Sequence, residues 1–218
     1  MKLIDLTLPI RPHHRWKTSV YQLELFEHGF RTSGARIRSH SFTHVDSPLH
    51  LVPGAPTINE VPLTQLVGPA AVVDLTYKRD REAITPDDLE RQGAHIEPGD
   101  IVFLRTDLGL RYSWETPLFW DQAPYMTRAA AEWFLPKGVK AVGYDFPQDY
   151  VIRDMAHRVP AVEEYVVHQV FLRNNILNIE YLTNLHLLTE PRVQAFVLPL
   201  KLETAEGAPA RAIALVDD

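Results

Sequence analysis

Proline sets the first limit on this chain. Seventeen prolines, against ten glycines, are scattered through 218 residues with no single stretch holding most of them. Each fixes φ and removes a backbone donor, so neither a long uninterrupted helix nor a broad central strand runs through one. The chain must therefore be built from many short elements. No repeat, low-complexity tract or Gly/Ser linker divides it, and residues 1–218 read as a single domain.

Between these breaks the first half reads as strand. Segments 2–8, 21–27, 35–43, 70–75 and 101–105 are short and either alternating or β-branched and apolar. Helix signals are fewer. Thr85-Pro86-Asp87-Asp88 places a cap, a first-turn proline and two acids ahead of 89–92, which Gly93 closes. Thr127 caps a second helix over 128–135, stopped by Pro136 and Gly138. A buried strand at 139–144 and a helix over 162–173 follow. Two strands, 195–202 and 210–216, joined by a turn at Glu206-Gly207, close the chain. Strands and helices mix without strict alternation, so the expected class is α/β, a mixed sheet with helices packed against it.

Composition narrows the function classes. Twenty-two basic against twenty-eight acidic residues give a net charge of −6, which argues against nucleic-acid binding through bulk positive charge. Asp5 interrupts the apolar run of the first ten residues before it could act as a signal core, and no apolar stretch approaches the ~20 residues of a membrane span. A cytoplasmic protein with no membrane or nucleic-acid partner is the expectation. The absence of cysteine removes disulfides, thiolate metal sites and a cysteine nucleophile together. No Gly-x-Ser-x-Gly elbow occurs either.

Histidine is the counterweight. His40, His44, Asp46 and His50 fall within eleven residues, in H-S-F-T-H-V-D-S-P-L-H. Imidazole and carboxylate are what a catalytic divalent metal takes when thiolate is missing. If 35–43 is a strand that continues, His40, His44 and Asp46 share one face, Val45 points into the core, and Pro48 turns the chain so that His50 returns over the same site. One histidine alone reads as a surface or hydrogen-bonded core residue. Three with an aspartate on one face have no evident structural purpose, and burying them unpaired is costly. Downstream, His168 in the expected helix and Glu180 at the end of the apolar run Ile176, Leu177, Ile179 could complete such a site.

The spacing His-x-x-x-His-x-Asp-x-Pro-x-His, with a later helical histidine and Glu180-Tyr181-Leu182, resembles the metal-dependent cyclase family, which includes bacterial kynurenine formamidase and isatin hydrolase. Ile4-Asp5-Leu6-Thr7, Gly143-Tyr144-Asp145 and the tail from Leu198 to Ala214 are similar to the family's first strand, its Gly-x-Asp strand end and its closing hairpin. The resemblance implies a swivelling β/α-type fold, a homo-oligomer (dimer or tetramer) and metal-dependent hydrolysis of a small molecule's C–N bond. It implies that His40, His44 and Asp46 ligate zinc or manganese. Asp46 would bridge to a second ion held by His168 and Glu180 where two are bound, and His50 would move the proton. Phe42 stands where the family commonly has glycine and, if beside the pocket, reshapes it. Trp16, within Arg11-Pro12-His13-His14-Arg15-Trp16, is placed to line the substrate pocket; His13, His14 and Arg15 have no family counterpart.

The aromatic stretch of Tyr112, Trp114, Phe119, Trp120 and Tyr125 reads either as a loop packed on the core or a partner subunit, or as a lid over an apolar substrate. Arg128 reads as a surface residue, and His157 and His186 have no partner motif. Two other functions compete with amide hydrolysis. One is a non-catalytic metal-dependent binding protein; the other is cyclase, lyase or lactone-hydrolase chemistry at the same metal.

Overall fold

A computed structural model describes residues 1–23 and 29–216. Its strands are β1 (Lys2–Asp5), β2 (Ser19–Leu23), β3 (Thr32–Arg36), β4 (His44–Asp46), β5 (Val67–Asp74), β6 (Ala83–Ile84), β7 (Ile101–Arg105), β8 (Tyr125–Met126), β9 (Ala141–Tyr144), β10 (Leu177–Glu180), β11 (Arg192–Pro199) and β12 (Gly207–Val216). Five short helices accompany them: α1 (Pro86–Gln92), α2 (Leu108–Arg111), α3 (Leu118–Asp121), α4 (Arg128–Trp133) and α5 (Val166–Arg173). Proline punctuation has the expected result, since the longest helix among the described residues has eight residues.

The main sheet is mixed, in the order β1-β12-β11-β5-β7-β9-β10-β4, and β4 also pairs with β12. That last pairing bends the sheet into a closed barrel, leaving β1 outside the ring. β5, β7, β9 and β10 run parallel, while the other pairings are antiparallel. Period-two alternation then sorts side chains to two cores. Ile101 and Phe103 of β7 face the barrel interior with Val45, Ile179 and Val197. Val102 and Leu104 face outward, where Leu89, Ala130, Val167 and Phe171 of the helices cover them. Phe171 is fully buried there, a contribution of roughly 1.5–3 kcal/mol.

Local signals explain several boundaries. Asp88 Oδ2 accepts the Thr85 backbone N–H at 2.8 Å, closing the first turn of α1. Thr127 Oγ1 accepts from Ala130 N at 3.1 Å to start α4.

Elsewhere the fold corrects the sequence. The expected strand over 35–43 does not form: β3 ends at Arg36, bends follow, and β4 begins only at His44. Phe42 adopts φ 57°, a left-handed conformation that no strand can contain. The expected helix over 162–173 breaks at Tyr165 into a 3₁₀ turn and α5. Gly207 belongs to β12, because its pairing with Asp46 extends the strand past the expected turn. The expected strand over 21–27 is seen to Leu23, its remainder lying outside the described residues. No described helix is long and apolar enough to cross a membrane.

Candidate metal centre

Strand register assembles the site. β4 lies between β10 and β12, pairing His44 with Glu180 and Asp46 with Asn178 on one side, and Asp46 with Gly207 on the other. His44 and Asp46 point to one face, and Val45 points into the barrel core, fully buried. The left-handed turn at Phe42 has a use here. It offers the Phe42 carbonyl to His44 Nδ1 at 2.8 Å, so Nδ1 is the protonated nitrogen and Nε2 presents its lone pair. Thr43 locks this turn, accepting from Leu8 N at 2.9 Å and donating to the Tyr181 carbonyl at 2.7 Å.

His44 Nε2 is buried and has no hydrogen-bond partner. It lies 3.3 Å from Asp46 Oδ1 and 3.6 Å from Glu180 Oε2. His168, on α5, brings Nε2 to 3.1 Å from Glu180 Oε1 and 3.4 Å from Asp46 Oδ2. Asp46 therefore turns one oxygen to His44 and the other to His168. His40 arrives from the bend before β4 and not from a shared strand face, setting Nδ1 2.8 Å from Asp46 Oδ1 and Nε2 2.9 Å from Glu206 Oε1. Its approach depends on Gly207, where a Cβ would fall 2.8 Å from the His40 ring and 2.8 Å from the Val45 carbonyl. His50 returns on the 3₁₀ turn Pro48–His50, as the proline implied, and stacks on His40 with ring centres 3.8 Å apart.

Burial raises the cost of ionising Asp46, but hydrogen bonds from His168 and the charge of His40 outweigh it and hold the carboxyl well below its usual range. Burial and Asp46 both push Glu180 up, yet the hydrogen bond and charge of His168 bring it below the ordinary value. His168 is driven upward despite burial, because Asp149, Asp46 and Glu180 all face it. Opposite behaviour marks His50. It is exposed by area at the cavity mouth, yet enough protein surrounds the ring to depress its pKa to about 4, with His40 and His168 adding to the effect. His50 is thus a neutral imidazole at physiological pH, with a nitrogen able to accept a proton.

Two buried carboxylates beside an unpartnered imidazole lone pair fit a divalent cation. Without one, the carboxylates repel each other in a low-dielectric site and the His44 nitrogen is unsatisfied. The donor set is nitrogen and oxygen only, which suits zinc, manganese and similar ions. Among the described residues two groups bring ligand atoms within 4.8 Å of one another, His44–Asp46–Glu180 and His40–Asp46–His50.

The chain's family follows from comparison. The family model for Cyclase, described as "Putative cyclase", matches residues 4–148. This chain belongs to the cyclase family. It is similar to a kynurenine formamidase of Bordetella petrii, 29% identical over 206 residues that cover 94% of this chain and 87% of that protein. A solved potential metal-dependent hydrolase with cyclase activity is 27% identical, with a TM-score of 0.73 over 98% of this chain and 96% of its own. An isatin hydrolase bound to the product analogue thioisatinate shares the fold at a TM-score of 0.81 and 22% identity, covering 100% and 93% of the two chains.

In this cyclase-family chain the His/Asp/Glu cluster opens into a cavity of about 590 Å³. Trp16 and Tyr181 line it, but Phe42 does not. The expectation that Phe42 shapes the pocket is corrected: its ring is buried behind Trp16, 4.5 Å away between centres, and against Trp114. The aromatic stretch is likewise packed inward, with Phe119 and Trp120 in the outer core and Tyr112 and Trp114 against it. Four supporting residues escape a sequence reading. Asp149 accepts from His168 Nδ1 at 2.6 Å and from the Val167 backbone at 2.8 Å, so it orients the ring and caps α5 together. Gln148 donates to Glu180, Asn178 reaches Asp46 at 3.4 Å, and Glu206 holds His40.

Proposed function

We propose that this chain is a metal-dependent hydrolase that cleaves the C–N bond of a small amide, formamide, lactam or imide. The observation carrying this reading is the buried, unpartnered His44 Nε2 facing two buried carboxylates. His40, His44, Asp46, His168 and Glu180 would hold the ion, zinc or manganese. The division of the Asp46 oxygens between His44 and His168 supports a bridging role where two ions bind. When bound, a divalent ion acidifies a water and polarises a carbonyl. His50, neutral and at the mouth, takes the proton of the attacking water and returns it to the leaving nitrogen. Trp16 and Tyr181 offer aromatic walls for the substrate. The relatedness to kynurenine formamidases along 94% of the chain supports the amide class. Assembly into a homo-oligomer is part of the same reading, supported by the exposed Met155, Val159 and Val162 near the cavity mouth.

His50→Ala separates this reading from its rivals. Turnover on a panel of aryl formamides, lactams, imides and lactones should fall by about 10²–10⁴-fold, with metal content by plasma mass spectrometry unchanged. Loss of metal in that variant would make His50 a ligand. Hydrolysis of lactones alone would move the reaction to C–O bonds. Metal-loaded wild-type protein that binds panel members without hydrolysing any would be a binding protein.

A further inference from the structure

The cavity also carries fixed positive charge. Besides the residues of the metal centre, two arginines line it, Arg15 and Arg38. Among the described residues the other buried or half-buried cations meet acids or two or more carbonyls, apart from Lys137, which lies over the Trp133 ring. Lys78 pairs with Asp88 at 2.9 Å, Arg105 with Asp107 at 2.8 Å and Arg192 with Asp100 at 2.8 Å. Arg153 donates to the Tyr150 and Ala123 carbonyls, each at 3.0 Å, and stacks on Tyr150. Arg15 has neither kind of satisfaction. Of its side-chain nitrogens only Nη2 is engaged, by the Ile152 carbonyl at 2.8 Å and Met155 Sδ at 3.5 Å. No described carboxylate pairs with it, although the chain holds 28 acidic residues. Arg38 is exposed and its side chain makes no hydrogen bond or ion pair among the described residues.

Arg15 is also held in place. Its guanidinium lies over the Trp120 ring, 4.9 Å from the centre. Its backbone N–H donates to His13 Nδ1 at 3.2 Å, His13 is held by the Trp114 carbonyl at 3.0 Å, and the following Trp16 is buried. A half-buried guanidinium, ordered by stacking and with free donors, is arranged for an oxyanion in bidentate geometry. Trp16, Tyr165 and Tyr181 line the same cavity, with Tyr165 5.7 Å from His168 and Tyr181 5.8 Å from His44 between ring centres. Glu180, at the floor, is the sole carboxylate among the lining residues. An ammonium group at the arginine end would have no partner.

We propose that Arg15, assisted by Arg38, is a specificity-determining anion subsite, and that the substrate is a net-anionic aromatic amide. Its carboxylate lies at the end remote from the bond that breaks. This rests on the cavity being the substrate site, as proposed above, but its test does not require turnover.

Binding of two inert ligands, 4-phenylbutyrate and its neutral counterpart 4-phenylbutanamide, is measured by tryptophan fluorescence and calorimetry on the metal-loaded protein. Wild type should prefer the acid, and the preference should weaken as salt rises. Arg15→Met keeps the aliphatic stem over Trp120 and should reduce the acid-over-amide preference by about 10–100-fold. Arg15→Lys should restore part of it, since a point charge lacks the fork. Arg38→Met removes a side chain with no partner, so folding is not at stake, and should lower the preference by about 2–5-fold. A preference unchanged in Arg15→Met and Arg38→Met but lost in Asp46→Asn would place the carboxylate at the metal and overturn the subsite. Equal wild-type affinity for acid and amide would overturn it too. Absence of hydrolysis with the preference intact would sink the hydrolase reading and leave the subsite standing.

Discussion

Two sets of buried carboxylates in this molecule look alike by burial and differ in everything else. Asp145, just after β9, accepts from Thr106 N at 2.9 Å, Thr106 Oγ1 at 2.7 Å and Asp107 N at 2.8 Å. Burial nonetheless lifts it to about 6. Each oxygen there meets a hydrogen, and the carboxylate ties the turn after β7 to the end of β9. Asp46 and Glu180 face ring nitrogens of His40, His44 and His168 as well as the Asn178 and Gln148 amides, and beside them His44 Nε2 has no hydrogen-bond partner. Burial alone therefore says little about function. What distinguishes the second set is an excess of lone pairs over hydrogens, a deficit that a cation fills.

The sharpest way to break that contrast is Asp46→Asn. The amide supplies hydrogens where the site needs charge, so metal content should fall to background and turnover with it, while circular dichroism stays native. Retained metal would remove Asp46 from the ligand set. Asp149→Asn acts one step back. It weakens the bond that orients His168, and metal affinity or activity should drop by about 10–100-fold, read by chelator competition. Asp145→Ala addresses the other member of the pair. It strands the Thr106 and Asp107 N–H groups, so a urea melt should show about 1–3 kcal/mol lost, with metal per folded molecule unchanged. Metal loss there would erase the distinction.

The smallest effect is a pH slope. The folded-state pKa of Asp145 is raised from 3.8 to about 6, so between those values the folded chain binds more protons than the unfolded. Stability from this group is therefore greatest when the carboxyl is protonated and declines as pH rises through the window, by at most about 1.4 kcal/mol per pH unit. Paired urea melts of wild type and Asp145→Asn at pH 4.5 and pH 7 measure it; a wild type gaining stability relative to the variant at pH 7 would reverse the sign.

How far the sequence foretold this molecule depends on how local each cause is. The start of α1 at Thr85-Pro86 and the whole of β7 are legible because caps and alternation act within a few residues. The clustering of His40, His44, Asp46 and His50 is legible because four N/O donors within eleven residues have few other uses. The expected strand over 35–43 fails because alternation says nothing about Phe42 leaving the strand region, and β4 exists only through pairing with distant β10 and β12. Helix 162–173 fails for a similar reason: α5 starts where Asp149, from another element, caps it. Glu206 and Asp149 carry no local mark of their partners, which lie 166 and 19 residues away.

The three residues of β4 are the last stave of the barrel as well as the source of His44 and Asp46. The pairings that close the ring are thus the ones that bring His44 and Asp46 beside Glu180. A chain with the ring still open, however much helix it has made, carries scattered histidines and no coordination sphere. With the proposed ion bound by His44 and Asp46, metal uptake would be a readout of completed topology, and an ion added during refolding would act as a clasp on the closing seam.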